Sequence, residues 1–203
     1  MDHDGVVFVE HLDGLATVVL NRPDKLNALN KEMWARLGPI FIDLHNDETV
    51  RCVVLRGAGH KALGPGADIK EFELERANSS KASEYGKLMH NAMTAIAECR
   101  HPVIARIQGL CVGGALELAA VCDLRIASDN SRFGIPVNRL GLVMSHYEMA
   151  GLIELVGKSI ALEILFEGRI FDAEEALNKG LLNKVVLDKD LDLELGAMVE
   201  RIC

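Results

Sequence analysis

The stretch that decides the fold is RIQGLCVGGALELAAVCDLRIASDNSRFGIPVNRLGL, residues 106–142. Its pattern predicts a strand, a glycine-rich turn, a short helix and two further strands. Glu117 follows the pair Gly113–Gly114 by one helical turn. A helix that starts at such a turn presents free N–H groups and the positive end of its dipole, which stabilise an oxyanion in front of them. A carboxylate on the next turn can exchange protons with the same ligand.

Along the rest of the chain, strands alternate with helices, which predicts an α/β fold with parallel strand pairing. No linker or repeat divides residues 1–203, so we expect one domain whose helical C-terminal part begins near residue 145. Segment 190–203 has partial helical spacing and ends without a capping glycine or polar tail, so we expect the natural chain to continue. Apolar periodicity predicts helices over 30–44, 80–98, 114–121, 146–155, 159–166 and 173–179. Strand signals fall at 6–9, 15–20, 52–55, 103–107, 124–127, 132–134 and 184–186.

Composition excludes several functional classes. The chain has 203 residues, 49% of them hydrophobic, and a net charge of −8, so an acidic globular protein without a Lys/Arg cluster is a poor candidate for binding nucleic acid or an anionic membrane. The N-terminus lacks the apolar segment of a signal peptide and no apolar run has membrane-spanning length, which predicts a cytoplasmic location. The five scattered cysteines include no CxxC pair and no histidines cluster, so we expect reduced thiols and no metal site.

Two nucleotide-binding interpretations of the glycines fail on spacing. Gly109, Gly113 and Gly114 open a helix after a strand but do not fit G-x-G-x-x-G. The GKS sequence at 157–159 resembles the end of a P-loop, yet the required upstream glycine position is occupied by Leu152. The GKS sequence is therefore interpreted as a helix start.

Four motifs, in order, resemble the enoyl-CoA hydratase/isomerase (crotonase) superfamily. NRPDKLNALN (21–30) resembles the family's first coenzyme A-binding loop, and GPGADIKEF (64–72) its first oxyanion-hole loop. IQGLCVGGALELAAVCDLRIAS (107–128) resembles the second oxyanion-hole loop, and VGKSIALEILFEGRIFDAEEALNKGLLNKVV (156–186) the later helical part. The resemblance implies a crotonase (ClpP-like) spiral of stacked ββα units, acyl-CoA thioester substrates and a homotrimer or homohexamer. Helices that help to build this oligomer in the family would lie beyond residue 203.

The resemblance also implies roles for individual residues. The backbone N–H groups of Ala67 and Gly114 match the oxyanion hole, which receives the enolate charge of the thioester, and Glu117 matches a catalytic glutamate. Simple tight packing of a strand-to-helix turn is the ordinary alternative for Gly113–Gly114, and the second glycine loop in register favours the hole. The implied coenzyme A contacts are Lys25, Leu26, Gly66, Ala67, Asp68, Ile69, Lys70, Gly113 and Gly114.

The second catalytic glutamate of the family is missing. Hydratases of the family place it after the proline of F-G-x-P-E, whereas residues 133–137 read FGIPV, with Val137 at that position. The glycine-rich segment that usually follows is replaced by MSHYE (144–148) at a predicted helix start. Three hypotheses remain open. Glu117 serves alone as acid and base; one of three auxiliary residues supplies the missing relay; or the protein binds acyl-CoA with little turnover. These auxiliary residues are His146, Tyr147 and Glu148, for which a surface or helix-capping role is the ordinary alternative.

The sequence therefore predicts an enoyl-CoA hydratase/isomerase-like lyase or isomerase that stabilises a thioester enolate with one retained glutamate. An acyl-CoA-binding homologue without catalysis, or with a regulatory role, is the alternative that Val137 favours. A decarboxylase or thioesterase of the same fold is a third hypothesis, because those reactions depend more on the hole than on a second carboxylate. We expect no cofactor, since coenzyme A is part of the substrate.

Overall fold

The computed structural model describes residues 5–75, 77–141 and 144–203. The first four residues, on which the signal-peptide prediction partly rests, and Leu142, which closes the fold-deciding stretch, lie outside that description. The strands are β1 (Val7–Leu12), β2 (Leu15–Leu20), β3 (Cys52–Gly57), β4 (Ala62–Gly64), β5 (Val103–Ile107), β6 (Leu110–Val112), β7 (Leu124–Ser128), β8 (Arg132–Gly134), β9 (Phe171–Asp172) and β10 (Lys184–Val186). The helices are α1 (Lys31–Asn46), α2 (Ile69–Glu75), α3 (Ser79–Ala97), α4 (Gly114–Ala120), α5 (His146–Glu167), α6 (Ala173–Asn178) and α7 (Leu191–Glu200).

Successive strands enter two different sheets. Across the described ranges, one sheet has the order β1-β2-β3-β5-β7-β10 and the other β4-β6-β8-β9. The pairs β3/β4, β5/β6 and β7/β8 thus each place a first strand in the larger sheet and a second in the smaller, followed by helices. Pairing is parallel from β2 to β10 and from β4 to β8, which confirms the predicted α/β fold. Strands β1 and β2 pair antiparallel in a hairpin that turns at Asp13–Gly14.

Helices α1 and α3 cover the core beside the larger sheet. The Asn30 side chain accepts a hydrogen bond from Met33 N–H at 3.0 Å, so α1 begins at a capped end. Gly38 of α1 faces the backbone of α3 at Ala92, where a Cβ on Gly38 would lie 3.8 Å from Ala92 Cα, an ordinary packing distance. The buried faces are formed by Met33, Trp34, Leu37, Phe41 and Leu44 of α1 and by Tyr85, Met89, Ala92, Met93 and Ile96 of α3. Burying each large side chain contributes about 1.5–3 kcal/mol.

Several short elements were not predicted. Strands β4, β6 and β9 and helix α2 have three, three, two and seven residues, too few for a periodic pattern to be distinctive. The predicted break between helices 146–155 and 159–166 is confirmed, because α5 consists of two helical segments that meet in a kink at Gly157, whose φ of +77° and ψ of 160° are not helical. A single glycine leaves the helical conformation there and the helix resumes at once. Segment 190–203 is helical as expected, and Leu191 and Val199 of α7 pack on the larger sheet.

Candidate active site

The first wall of the site is the loop between β4 and α2, which carries Gly66 and Ala67. Leu29 N–H donates to Gly66 O and Asp68 N–H donates to Leu29 O, both at 2.8 Å, in a parallel bridge between Leu29 and Ala67. In this bridge the two hydrogen bonds to Leu29 use the carbonyl of the residue before Ala67 and the N–H of the residue after it, and not the N–H of Ala67 itself. The N–H of Ala67 therefore points away from Leu29, and Ala67 lines a cavity on its other side.

The second wall is the turn at Gly113 and Gly114, from which α4 starts. Gly113 has φ +54° and ψ −129°, a conformation that glycine adopts without strain. Its N–H donates to Gly134 O at 2.8 Å, and its carbonyl accepts from Leu116 N–H at 2.8 Å. The N–H of Gly114, in the first turn of the helix, has no intrahelical acceptor. Within the described ranges, neither it nor the N–H of Ala67 donates a turn, loop or cap hydrogen bond.

The two walls touch backbone to backbone. A Cβ atom placed on Gly66, whose φ is +105°, would lie 3.2 Å from Val112 O and 3.6 Å from Gly114 N. A Cβ on Gly113 would lie 3.5 Å from Gly66 Cα. Only residues without a side chain permit this approach. It brings Ala67 and Gly114 to the wall of one cavity, as the sequence predicted for the two glycine loops.

Glu117 lies on the buried helix α4 and lines the same cavity. Glu117 is only 5% exposed, and its neighbours Leu116 and Leu118 are buried in the core. A buried carboxylate is expensive unless it has a partner or a function. Its place on the wall of the cavity that Ala67 and Gly114 also line suits proton exchange with a ligand held there.

Arg125 fixes the C-terminal end of α4. Its guanidinium donates to Ala119 O at 3.2 Å, Cys122 O at 2.5 Å and Leu181 O at 2.9 Å. Carbonyls at the end of a helix lack intrahelical donors, so a buried cation satisfies them directly. Burial lowers the pKa of Arg125, although a guanidinium remains charged at neutral pH. Arg125 thus holds the helix that carries Glu117.

The cavity has a volume of about 100 Å³ and reaches the indole of Trp34. Trp34 is 1% exposed, and a Cβ on Gly114 would lie 3.3 Å from its Cζ2. Its buried Nε1 finds no hydrogen-bond acceptor among the described residues. Trp34 is therefore a core residue that also contacts the cavity, and no sequence pattern indicated that contact. The lining residues are Trp34, Pro65, Gly66, Ala67, Ile69, Met89, Val112, Gly113, Gly114, Glu117, Pro136, Val137, Leu140, Met144 and Glu148.

The auxiliary residues separate by position. Val137, in a 3-10 turn, and Glu148, in the first turn of α5, both line the cavity that holds Glu117. Tyr147 lines an adjoining cavity of about 450 Å³ between α3 and α5, where its ring lies 4.6 Å from that of His90. His146 is not among the residues that line either cavity. The two cavities share Met89, Met144 and Glu148, of which the sequence proposed a role only for Glu148.

The expected coenzyme A contacts are spread over the edge of the site. Gly66, Ala67, Ile69, Gly113 and Gly114 line the cavity, whereas Lys25 and Lys70 are exposed and do not line it. Leu26, at φ +54°, lines a separate groove of about 310 Å³ with His60 and Lys61.

Asp68 has a partner that the sequence did not reveal. Its carboxylate accepts from Arg22 Nη2 at 2.9 Å, and Arg22 Nη1 also donates to Ala28 O at 2.6 Å. The pair is mostly buried, which strengthens it relative to a surface pair. It ties the first loop to the loop that carries Ala67, so the Asp68 side chain has a positioning role besides any ligand contact.

The thiols near the site are unreactive at neutral pH. Burial raises the pKa of Cys122 to about 12 and that of Cys111 well above its usual range, so neither forms a nucleophilic thiolate. Among the side chains described, no three His, Cys, Asp or Glu residues come together as a metal-binding group. No helix in the described part of the chain has the length and apolarity needed to cross a membrane.

Comparisons with known proteins show the family to which the chain is related. A family model described as enoyl-CoA hydratase/isomerase matches residues 10–203. The short-chain-enoyl-CoA hydratase of Clostridium acetobutylicum is 37% identical over 185 residues, which are 91% of this chain and 70% of that protein. The crotonyl-CoA hydratase of Syntrophomonas wolfei is 33% identical over 97% of this chain and 75% of that protein. A crystal structure described as an enoyl-CoA hydratase/carnithine racemase from Magnetospirillum magneticum matches with a TM-score of 0.96 and 46% identity, over 98% of this chain and 74% of that one. The resemblance and the spiral ββα fold are confirmed.

Proposed function

The chain belongs to the enoyl-CoA hydratase/isomerase family, and on that premise we propose that it hydrates or isomerises the double bond of an enoyl-CoA thioester. The thioester carbonyl sits between the N–H groups of Ala67 and Gly114, and Glu117 exchanges a proton with the α-carbon. The observation that carries the proposal is the convergence of these three residues on one cavity. Each N–H donor contributes about 2.7–4 kcal/mol to stabilising the enolate.

The chemistry follows from where charge develops. When water adds to the β-carbon of a 2-enoyl thioester, electrons move to the carbonyl oxygen, and the two N–H groups stabilise the resulting enolate. Glu117 then donates a proton to the α-carbon, the proton that the attacking water loses passes to solvent, and Glu117 regains a proton from solvent, so that one water is added in total. In isomerisation, Glu117 removes an α-proton of a 3-enoyl thioester and the proton returns at the γ-carbon. The proposed chemistry uses no cofactor, because coenzyme A is part of the substrate.

An absorbance assay on 2-enoyl-CoA, with mass spectrometry of the product, tests the proposal. We expect loss of the enoyl chromophore, or migration of the double bond of 3-enoyl-CoA. Glu117→Gln should lower the rate by about 10²–10⁴-fold and leave acyl-CoA affinity nearly unchanged, since general acid–base catalysis contributes that much. Glu174→Gln, on the exposed face of α6, is the matched control and should retain the rate. An active Glu117→Gln protein would remove Glu117 from the mechanism.

A second candidate function is acyl-CoA binding without turnover. Val137 favours it, because an unreactive side chain lines the cavity where the family pattern has a glutamate. If the unaltered protein binds acyl-CoA but turns over neither substrate, and Val137→Glu gains hydratase activity, this function replaces the first.

We also propose the cytoplasmic location that the sequence predicts, and a homotrimer or homohexamer, which the family resemblance supports. Light scattering of the full-length protein tests the assembly. A stable monomer would contradict it.

A further inference from the structure

Helix α5 brings a second carboxylate to the cavity of Glu117. Val137 occupies the position where the sequence pattern of the family has its second glutamate, and Val137 lines the cavity. Glu148, eleven residues further along the chain and on a different element, lines the same cavity. The chain therefore has two carboxylates at one small cavity, although the family motif at 133–137 supplies none.

The carboxylate of Glu148 is held by a capping box at the start of α5. Ser145 N–H donates to Glu148 Oε2 at 2.5 Å, and Glu148 N–H donates to Ser145 Oγ at 3.3 Å. The reciprocal bonds restrict the side chain to one orientation. The other oxygen, Oε1, accepts no hydrogen bond from the part of the protein that the structure describes. Glu148 is half-buried and lines the cavity, so its carboxylate can meet water or a ligand there.

The position of Glu148 is also the junction of two spaces. It lines both the 100 Å³ cavity with Glu117 and the adjoining 450 Å³ cavity between α3 and α5. Consider a thioester whose carbonyl lies at Ala67 and Gly114 and whose acyl group extends into the larger cavity. Its β-carbon then lies further from the carbonyl than its α-carbon does, on the side of this junction. By contrast, Tyr147 is 65% exposed and lines only the larger cavity.

We propose that Glu148 is the second catalytic carboxylate, acting at the β-carbon while Glu117 acts at the α-carbon. This inference rests on the proposed function. In hydration, Glu148 Oε1 accepts a proton from water as the water oxygen bonds to the β-carbon. The C=C π-electrons move to the carbonyl oxygen as an enolate. Glu117 then donates its proton to the α-carbon and the carbonyl re-forms. Glu148 releases its proton to solvent and Glu117 regains one from solvent, so that one water is added in total.

Replacing Glu148 with glutamine separates this role from helix capping. Glutamine also serves in a capping box, so Glu148→Gln keeps α5 in place and removes only the proton acceptor. We expect hydration of 2-enoyl-CoA to fall by about 10²–10⁴-fold. Ser145→Ala is the matched control, because it removes the other half of the same capping box and leaves the carboxylate, and its loss of hydration should be far smaller. Equal losses in the two variants would assign Glu148 to capping and overturn the proposal.

A second readout distinguishes failure of this inference from failure of the proposed function. Exchange of the α-protons of a saturated acyl-CoA with deuterium in D₂O, followed by mass spectrometry, needs only Glu117 and the two N–H groups. We expect Glu148→Gln to exchange at the rate of the unaltered protein and Glu117→Gln to lose exchange. No exchange in the unaltered protein would contradict the proposed function. Normal exchange together with undiminished hydration in Glu148→Gln would contradict only the role of Glu148.

Discussion

Replacing Gly66 with alanine should open the oxyanion hole without touching Glu117. Gly66 has φ +105°, and the new Cβ would lie 3.2 Å from Val112 O, closer than an ordinary contact. Holding an alanine at that φ costs about 1–3 kcal/mol, so the loop relaxes away from the Gly113 turn. Ala67 is the next residue, and its N–H moves with the loop. Loss of one donor lowers kcat by about 10²–10³-fold.

The assay is steady-state hydration of 2-enoyl-CoA together with thermal unfolding. We expect a large fall in kcat with a small change in KM, because the donor acts mainly on the enolate. Gly180→Ala is the matched control. Gly180 has φ +77° but no atom within 4 Å of its would-be Cβ, and it lies in the turn after α6. Gly180→Ala should lower Tm by about 2–4 °C per kcal/mol of strain, as Gly66→Ala does, and should keep its kcat. A Gly66→Ala protein that loses stability but retains kcat would refute the assignment of the Ala67 N–H to an oxyanion hole.

Three further predictions concern the surroundings of the site. Trp34 is the only tryptophan and lines the cavity, so binding of acyl-CoA should change the tryptophan fluorescence of the protein more than binding of free coenzyme A does. Equal fluorescence changes with the two ligands would place the acyl group elsewhere. Arg125→Met should lower the free energy of unfolding by about 3 kcal/mol, because buried carbonyls lose a charged donor. The control Arg132→Met, which changes an exposed side chain, should alter the free energy of unfolding by less than about 0.5 kcal/mol. Chemical denaturation measures both values, and similar losses would contradict the capping role of Arg125. Adding Val137→Glu to the Glu148→Gln protein should restore hydration, because it returns a carboxylate to the same cavity. The control adds Leu140→Glu, on the same 3-10 turn, instead. Rescue by both additions would show that any added charge suffices.

Long periodic elements could be predicted from the sequence, and short ones could not. The apolar spacing of α1 predicts both ends of that helix within two residues of the observed ones. Strand β4 has three residues between glycine-rich turns, and it becomes a strand only by pairing with β6, which lies almost fifty residues away. Pairing over that distance depends on tertiary structure and leaves no local pattern. The break in α5 at Gly157, by contrast, is a local feature that the sequence predicted, because the GKS sequence at 157–159 indicates a helix start and glycine adopts a positive φ without strain.

The candidate site divides in the same way. Glycine loops and a carboxylate one turn later are local features, so Ala67, Gly114 and Glu117 could be predicted from motifs. Which of three neighbouring polar residues at the start of α5 reaches the cavity depends on how α5 packs against α3 and α4, and only the structure selects Glu148. The Arg22–Asp68 pair spans 46 residues and was equally hidden.

The most direct test of the central claim is a crystal structure of the protein with a bound acyl-CoA or a non-reactive enolate analogue. The account predicts that the thioester oxygen accepts hydrogen bonds from the N–H groups of both Ala67 and Gly114, at about 2.7–3.1 Å. It also predicts that the α-carbon lies against Glu117. A thioester oxygen that faces solvent, or that contacts neither N–H group, would contradict it.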